Sequence, residues 1–263
     1  MKPEILGLNS YFLMWLVAAV SGVWVATRLT RQAGLPPTRS LVAACVLALA
    51  IMAGAKLFFL LEHDLFPANA SVAGLATLGE RIRFGFRIPG GILLATAVLP
   101  LVCRVLRLPA LAFIDAAAPA IGLASACART GCFLNGCCFG RVTSFPLALS
   151  FPPNSRVFLW QLDRGLISPL AARSLPVHPA QLYFVALGLA LYGLGRRWQK
   201  RKRYDGEVWV KFCLVFFGGT FAIELLGPVP LNLNVIASAL TVVATLIVDV
   251  RARSTQRHAR GAR

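Results

Sequence analysis

The chain has 263 residues, of which 57% are hydrophobic and only 14% charged, well below the roughly 25% charged residues of a soluble globule. Its 27 basic and 10 acidic residues give a formal net charge of +17, which alone would suit nucleic acid. Set beside long apolar runs, these charges read instead as the loop and end charges that orient membrane helices, and they argue against a nucleic-acid partner.

A membrane span needs about twenty predominantly apolar residues to cross some 30 Å of hydrocarbon. The first such run covers 10–28. Lys2 and Glu4 precede it, and Arg28, Arg31 and Arg39 follow. A cleavable secretory leader has its positive region first, so this run is expected to stay as a span with its amino end outside. Further spans are predicted over 41–61, 89–107, 110–127 (alanine-rich and carrying Asp115), 179–197, 207–227 and 231–250. Gly227-Pro228-Val229-Pro230 separates the last two as a tight turn. The expectation is an all-α integral membrane protein of about seven transmembrane helices. One polytopic domain covers 1–250, and a basic cytoplasmic tail covers 251–263.

Basic residues orient this layout, because positive charge is retained on the cytoplasmic side. With the amino end outside, the inner segments hold Arg28, Arg31, Arg39, Arg104, Arg107, the cluster Arg196 to Arg203, and the arginines of the tail. The outer segments hold fewer, spread over longer loops: Lys2, then Arg81, Arg83 and Arg87, then Arg129, Arg141, Arg156, Arg164 and Arg173. The carboxyl end is therefore expected in the cytoplasm. The segment 129–178 becomes an outer-face loop region between spans four and five, which in a bacterium faces the periplasm.

That region opens on Ala128-Arg129-Thr130-Gly131-Cys132-Phe133-Leu134-Asn135-Gly136-Cys137-Cys138-Phe139-Gly140-Arg141. Its residues allow three readings. Cys127, Cys132, Cys137 and Cys138 offer metal ligands, but their spacing departs from the paired short spacings of structural zinc sites, and adjacent cysteines do not easily share one ion. Cys132 can instead close a disulfide on Cys137 or Cys138 in an oxidising compartment. Cys45, Cys103 and Cys213 lie within apolar spans as small buried hydrophobes.

The third reading starts from Arg129, whose guanidinium at the membrane interface calls for an anionic partner. Its planar fork matches a phosphate or carboxylate. Gly131, Gly136 and Gly140 would let backbone amides approach a ligand, and Asn135 adds an amide that donates and accepts. The result would be an anion-holding turn at headgroup depth; the bland alternative is a turn in which Arg129 pairs with Asp115. Asp115 and Glu224, as carboxylates within spans, are candidates for function or for pairing with Arg129 or Lys211. Gly90 and Gly91 follow Pro89 at the start of the third span, where they suggest close packing or a re-entrant approach. His178 ends the loop that Arg129 begins, with Gln181 and Tyr183 just beyond it.

Taken in order, these residues resemble the prolipoprotein diacylglyceryl transferase family. The motif above is similar to its G-R-x-G-N-F-x-N-G-E-x-x-G, and His178-Pro179-Ala180-Gln181-Leu182-Tyr183 to its H-P-S-Q-L-Y. Asp115 to Pro119, Gly54-Ala55-Lys56-Leu57 and Tyr11-Phe12-Leu13-Met14 resemble shorter family runs. Cys132 and Cys137 stand where the family has Asn and Glu. Pro89 stands where it has a histidine held important for catalysis, and Thr220 and Gly227 stand where arginines are expected, with Glu224 retained. Leu231 to Asn234 replace its G-Q-x-L-S run. The chain reads as a divergent member.

The resemblance implies transfer of a diacylglyceryl group from phosphatidylglycerol to the lipobox cysteine of preprolipoproteins at a bacterial inner membrane, with the active site toward the periplasm. On that reading Arg129 clamps the departing phosphate and His178 is the candidate base. Tyr11, Gly90, Gly91, Gly131, Asn135, Gly136, Gly140, Gln181 and Tyr183 contact substrate, supported by Asp115, Cys132, Cys137 and Glu224. No metal ligand set or cofactor is assigned. The alternative is a paralogue that binds phospholipid and uses its cysteines for redox or metal chemistry.

Overall fold

The computed structural model describes residues 4–5, 8–65, 88–228, 236, 238–240 and 242–243. Short antiparallel strands β1 (Glu4–Ile5) and β2 (Leu8–Asn9) precede the helices. These run in the order α1 (Ser10–Gln32), α2 (Pro37–Leu65), α3 (Ile88–Val105), α4 (Ala110–Asn135), α5 (Arg156–Asp163), α6 (Ala180–Gln199) and α7 (Glu207–Glu224). By length and composition α1, Pro37–Leu61 of α2, and α4 can cross a bilayer, and Gly90–Val105 of α3 forms a shorter apolar helix. Helices α6 and α7 fall on the spans expected over 179–197 and 207–227. Most of the expected last span, the run Leu231 to Asn234, the tail 251–263 and Arg81, Arg83 and Arg87 lie outside the described residues.

Helix α4 is the centre of the bundle, packed along its length against α1 and α6. In a membrane, where lipid tails are as apolar as side chains, helices associate through close packing of small residues. The α4–α6 seam does this with Gly122 against Gly188. A Cβ on Gly188 would stand 2.6 Å from the Gly122 carbonyl oxygen and 2.9 Å from the Ala126 nitrogen. Further along the seam Gly195 meets the ring of Pro119. On the other side Gly22 of α1 faces Ala124, and Gly131 faces Met14.

Pro119 interrupts α4 without breaking it. Its missing N–H leaves the Asp115 carbonyl without its helical donor, and Gln199 of α6 supplies one, donating from Nε2 to the Asp115 oxygen at 3.0 Å and to Ala116 at 2.8 Å. Carbonyls freed by a membrane proline are thus satisfied by a neighbouring helix.

The Asp115 side chain has a separate task. Its carboxylate accepts from the Gly206 N–H (2.8 Å) and the Trp209 N–H (2.9 Å), the open amino-terminal amides of α7, and lies 3.5 Å from the Lys202 ammonium. It is an N-cap lent by a distant helix, and a carboxylate there also meets the positive end of the helix dipole. Burial works against the Lys202 charge, but bonding to Asp205 and Asp115 more than offsets it and holds the ammonium above the usual lysine range. Lys211, the other expected partner for an intramembrane carboxylate, bonds Glu207 at 2.7 Å instead.

Helix α4 departs from expectation at its far end. It runs on through Arg129 to Asn135 rather than stopping near 127, so the first half of the cysteine-rich motif is helical. Helical rise puts Asp115 about 21 Å along the axis from Arg129. Pairing between the two is therefore corrected by the structure. Asp115 lies at the opposite end of α4, with the basic connection between α6 and α7.

Two outcomes test this packing. Asp115→Ala leaves the Gly206 and Trp209 amides without their acceptor and Lys202 with Asp205 alone, at a cost of about 2 kcal/mol. This should lower the thermal midpoint in detergent by roughly 5 °C, with Asp115→Asn losing less; an unchanged midpoint would remove the capping role. Gly188→Leu has no room against α4 and should eliminate the monodisperse folded peak in size-exclusion chromatography.

Candidate active site

The end of α4 that carries Arg129 is met by the amino-terminal parts of α1 and α6 and by the chain after α4. Arg129 and Cys132, three residues apart, share a helix face. The Arg129 guanidinium lies over the Phe184 ring of α6, with its central carbon 3.8 Å from the ring centroid. Such stacking is favourable for a desolvated cation but uses the π face and leaves the N–H edges for other partners. Its Nε is buried and has no hydrogen-bond partner among the described residues. Glu224 and Cys132, Cys137 and Cys138 lie within electrostatic reach of the guanidinium.

Helix α4 ends at Gly136, which adopts φ 68° and closes a left-handed cap through its N–H to the carbonyls of Cys132 and Phe133. The chain then folds back. The Cys137 N–H donates to the Cys132 carbonyl at 3.1 Å, and the Cys137 carbonyl accepts from Gln181 Nε2 at 2.7 Å. Cys138 has φ 59°, a left-handed conformation that costs a residue with a Cβ about 1–2 kcal/mol. This bend brings together the side chains of two consecutive cysteines, which the spacing argument expected to diverge. The sulfurs of Cys132, Cys137 and Cys138 all lie within 4.8 Å of one another, and all three are thiols rather than disulfide partners. The Asn135 side chain is within hydrogen-bonding reach of Cys137. Tyr11 of α1 lies within electrostatic reach of the same three thiols and packs edge-on to Trp15.

The glycines do not provide the expected cradle of open amides. Gly131 sits inside α4, where the helical ladder uses its N–H and its lack of a side chain makes room for Met14. The Gly136 amide is taken by the helix cap. The Gly140 amide donates to the His178 carbonyl at 2.9 Å. A Cβ on Gly140 would stand 2.6 Å from that of His178 and 2.8 Å from the Leu226 oxygen, so this glycine lets the strand-like stretch press between α6 and the end of α7. Gly90 and Gly91 are likewise packing residues. Gly90 touches Phe58 and the Gly54 carbonyl, and Gly91 lies against the Ile51 carbonyl, so the close contacts of both are with α2.

His178 is buried. Its Nδ1 is 3.2 Å from the Tyr183 hydroxyl, and its ring lies beside Phe145. Its backbone bonds both Gly140 and Arg141. The segment between Arg141 and His178 is more than a loop. Val142 and Leu149 both bridge to Val177, and Phe151, Val157 and Val177 form a small core with Phe133 and Phe139. Helix α5, which the sequence reading missed, starts at a Ser155 cap whose hydroxyl accepts from the Phe158 N–H. Buried Gln161 then clamps Leu175 through both backbone groups. The signal was present in Pro152-Pro153-Asn154-Ser155, a turn cluster running into a cap.

An apolar cavity of about 150 Å³ lies among α1 to α4 and α7. It is lined by Trp15 and Ala128 at the Arg129 end and reaches Leu47, Leu99 and Ile114 deeper in the bundle. A cation with one buried unbonded N–H and a thiol cluster thus meet at one end of the bundle, and the apolar cavity reaches toward that end at Trp15 and Ala128. That combination is suited to an amphiphile with an anionic head.

Comparison with known proteins identifies the family. The sequence profile described as prolipoprotein diacylglyceryl transferase matches residues 4–251. Among curated relatives, each named phosphatidylglycerol–prolipoprotein diacylglyceryl transferase, the protein of Clostridium tetani is 25% identical over 67% of this chain and 63% of its own length. That of Geobacter sulfurreducens is 27% identical over 79% and 73%, and that of Azotobacter vinelandii 28% identical over 81% and 74%. The chain spans less than two thirds of the Clostridium tetani relative. With the profile matched along almost its whole length, the chain belongs to the prolipoprotein diacylglyceryl transferase family.

Proposed function

We propose that this protein transfers a diacylglyceryl group from phosphatidylglycerol to the lipobox cysteine thiol of a preprolipoprotein. The observation that carries the reading is the Arg129 guanidinium, stacked on Phe184 with a buried Nε that no described residue bonds. A phosphodiester oxygen satisfies that donor, and the adjoining apolar cavity accommodates part of an acyl chain. The names of the relatives, given to proteins of the same family, support the same donor and acceptor.

The acceptor sulfur attacks the glycerol carbon bearing the phosphate, a C–S bond forms, and the C–O bond breaks to release glycerol phosphate. Negative charge gathers on the departing phosphate, and a preorganised cation placed there lowers the barrier. Arg129 takes this role, with Tyr11 and Asn135 as headgroup contacts and Glu224 keeping the guanidinium oriented. His178 and Tyr183 form a hydrogen-bonded pair on the same side of the bundle and serve as proton carriers. Gln181 acts through the turn by holding the Cys137 carbonyl.

The layout that goes with this function has seven spans, the amino end and the Arg129 site on the periplasmic side of a bacterial inner membrane, and the α6–α7 connection and basic tail in the cytoplasm. The alternation of α1, α4, α6 and α7 supports it, since Asp115 shares one end of the bundle with the basic connection and Arg129 lies at the other. A second reading, a lipid-binding paralogue with its own cysteine chemistry, is favoured by the thiol cluster alone.

Mass spectrometry of a lipobox peptide incubated with phosphatidylglycerol and the purified protein separates the two. The expected product is heavier by one diacylglyceryl unit, and its absence would leave the paralogue reading. Arg129→Ala should lower kcat by about a hundredfold, the cost of one phosphate clamp worth roughly 3 kcal/mol, and Arg129→Lys should recover part of it; unchanged turnover would remove the mechanism. For orientation, a cysteine placed at the highly exposed Leu170 by Leu170→Cys should react with an impermeant thiol reagent in intact cells. One placed by Arg201→Cys should react only after permeabilisation, and the reverse pattern would invert the layout.

A further inference from the structure

We propose that Cys132, Cys137 and Cys138 form a three-thiolate site for a thiophilic divalent cation, zinc in the first instance, whose open fourth position takes up the acceptor thiol. The inference rests on the transferase reading for the identity of that thiol, and on the cysteines alone for the metal. Their sulfurs already lie within 4.8 Å of one another. Zinc–sulfur bonds of about 2.3 Å in tetrahedral geometry require sulfurs about 3.8 Å apart. Rotation of each side chain by less than about an ångström at the sulfur closes the site on the ion.

The local chain is built to hold this arrangement. Cys132 sits on the last turns of α4, Gly136 reverses the backbone, and the left-handed Cys138 turns its side chain toward that of its neighbour. A strained non-glycine residue at a cluster of reactive groups is where function is first sought. The supporting shell is also present. Gln181 grips the Cys137 carbonyl and the Asn135 side chain reaches Cys137, contacts that fix ligand direction in metal sites. Soft sulfur ligands select zinc or monovalent copper over calcium or magnesium. Charge separates the first two: three thiolates carry one net negative charge with a divalent ion and two with a monovalent ion, and a buried site disfavours the larger charge.

Three protein ligands with one open position mark a catalytic rather than a structural zinc site. A thiol that binds there is deprotonated outright. The acceptor thiol would lose its proton on coordination, and its sulfur lone pair would then form the C–S bond as the C–O bond to phosphate breaks. The departing phosphate monoester keeps the electron pair of that bond and takes up the displaced proton, directly or through solvent. The cysteines thereby supply the thiolate that the reaction needs, beside the guanidinium that receives the phosphate.

The test uses the full chain purified in detergent. After zinc loading and desalting, elemental analysis should find one zinc per chain in the parent protein and none in Cys132→Ser/Cys137→Ser/Cys138→Ser. Cobalt(II) should give a sulfur-to-metal charge-transfer band that shifts on adding a lipobox peptide but not its Cys→Ser counterpart. The single change Cys138→Ser, at an exposed position, should weaken zinc binding at least about a hundredfold with the protein still folded by circular dichroism. Chelation should stop diacylglyceryl transfer and zinc should restore it. Full transfer by metal-free protein would overturn the metal site and leave the transferase reading intact. A metal bound and shifted by the peptide without any transfer would do the opposite. No stoichiometric zinc, or a disulfide joining two of the three cysteines in the active protein, would also overturn the proposal.

Discussion

A guanidinium held at the end of a buried helix must have its charge answered, and the Arg129 end of the bundle is organised around that demand. Phe184 covers one face of the group, Glu224 and three sulfurs lie within its field, and one N–H stays buried without a described partner. In low dielectric such a donor favours occupation by an anion. The packing of α4 makes the position possible. A helix fixed on both sides by glycine contacts has little freedom to roll its cation out to solvent, so the charge stays buried at that end of the bundle.

The same helix shows how differently two intramembrane charges can be settled. Asp115 is fully engaged, since two backbone amides and an ammonium use its oxygens. Nothing about it invites a ligand, and its value is to bind the start of α7 to the hub of the bundle. The sequence reading made Arg129 the phosphate clamp and Asp115 a supporting group or its ion-pair partner. Their difference lies in the count of satisfied hydrogen-bonding groups, which only tertiary structure reveals.

Most of the helices were legible because the apolar runs that form them are long. Helices α1, α2, α3, α6 and α7 lie where those runs predict. The end of α4 was not legible. Gly131, Gly136 and the clustered cysteines read as a turn, yet Gly131 is helical, and its missing side chain makes room for Met14 of α1. Gly131 and Gly140 looked like amides offered to a ligand, while the structure uses them for contact between elements; at Gly90 and Gly91 it shows the close packing that was one of the two readings there. The capping of α7 by Asp115 joins residues about ninety positions apart, which no local pattern encodes. In the site, the sequence marked Arg129, His178 and the cysteines but not their relations. Convergence of Cys137 and Cys138 depends on one positive φ at Cys138, a backbone choice that residue type does not announce.

Stability is uneven across the fold in a way that bears on function. The seams of α4 and the cap on α7 are satisfied and unstrained, and the small core around Phe151 pins the segment after the motif. Among the described residues, left-handed Arg107 and Asn154 and the buried unbonded hydroxyl of Ser40 depart from local preference elsewhere, and three such departures lie around the Arg129 end: a left-handed cysteine, an unbonded buried Nε on Arg129, and a Gln181 whose Oε1 is buried without a described partner. A chain that only needed to bind lipid tails would gain by removing all three, since an apolar cleft requires none of them. Their position beside one cation and three thiols fits a site that stabilises charge during a reaction, because groups poised for a transition state remain incompletely satisfied without it.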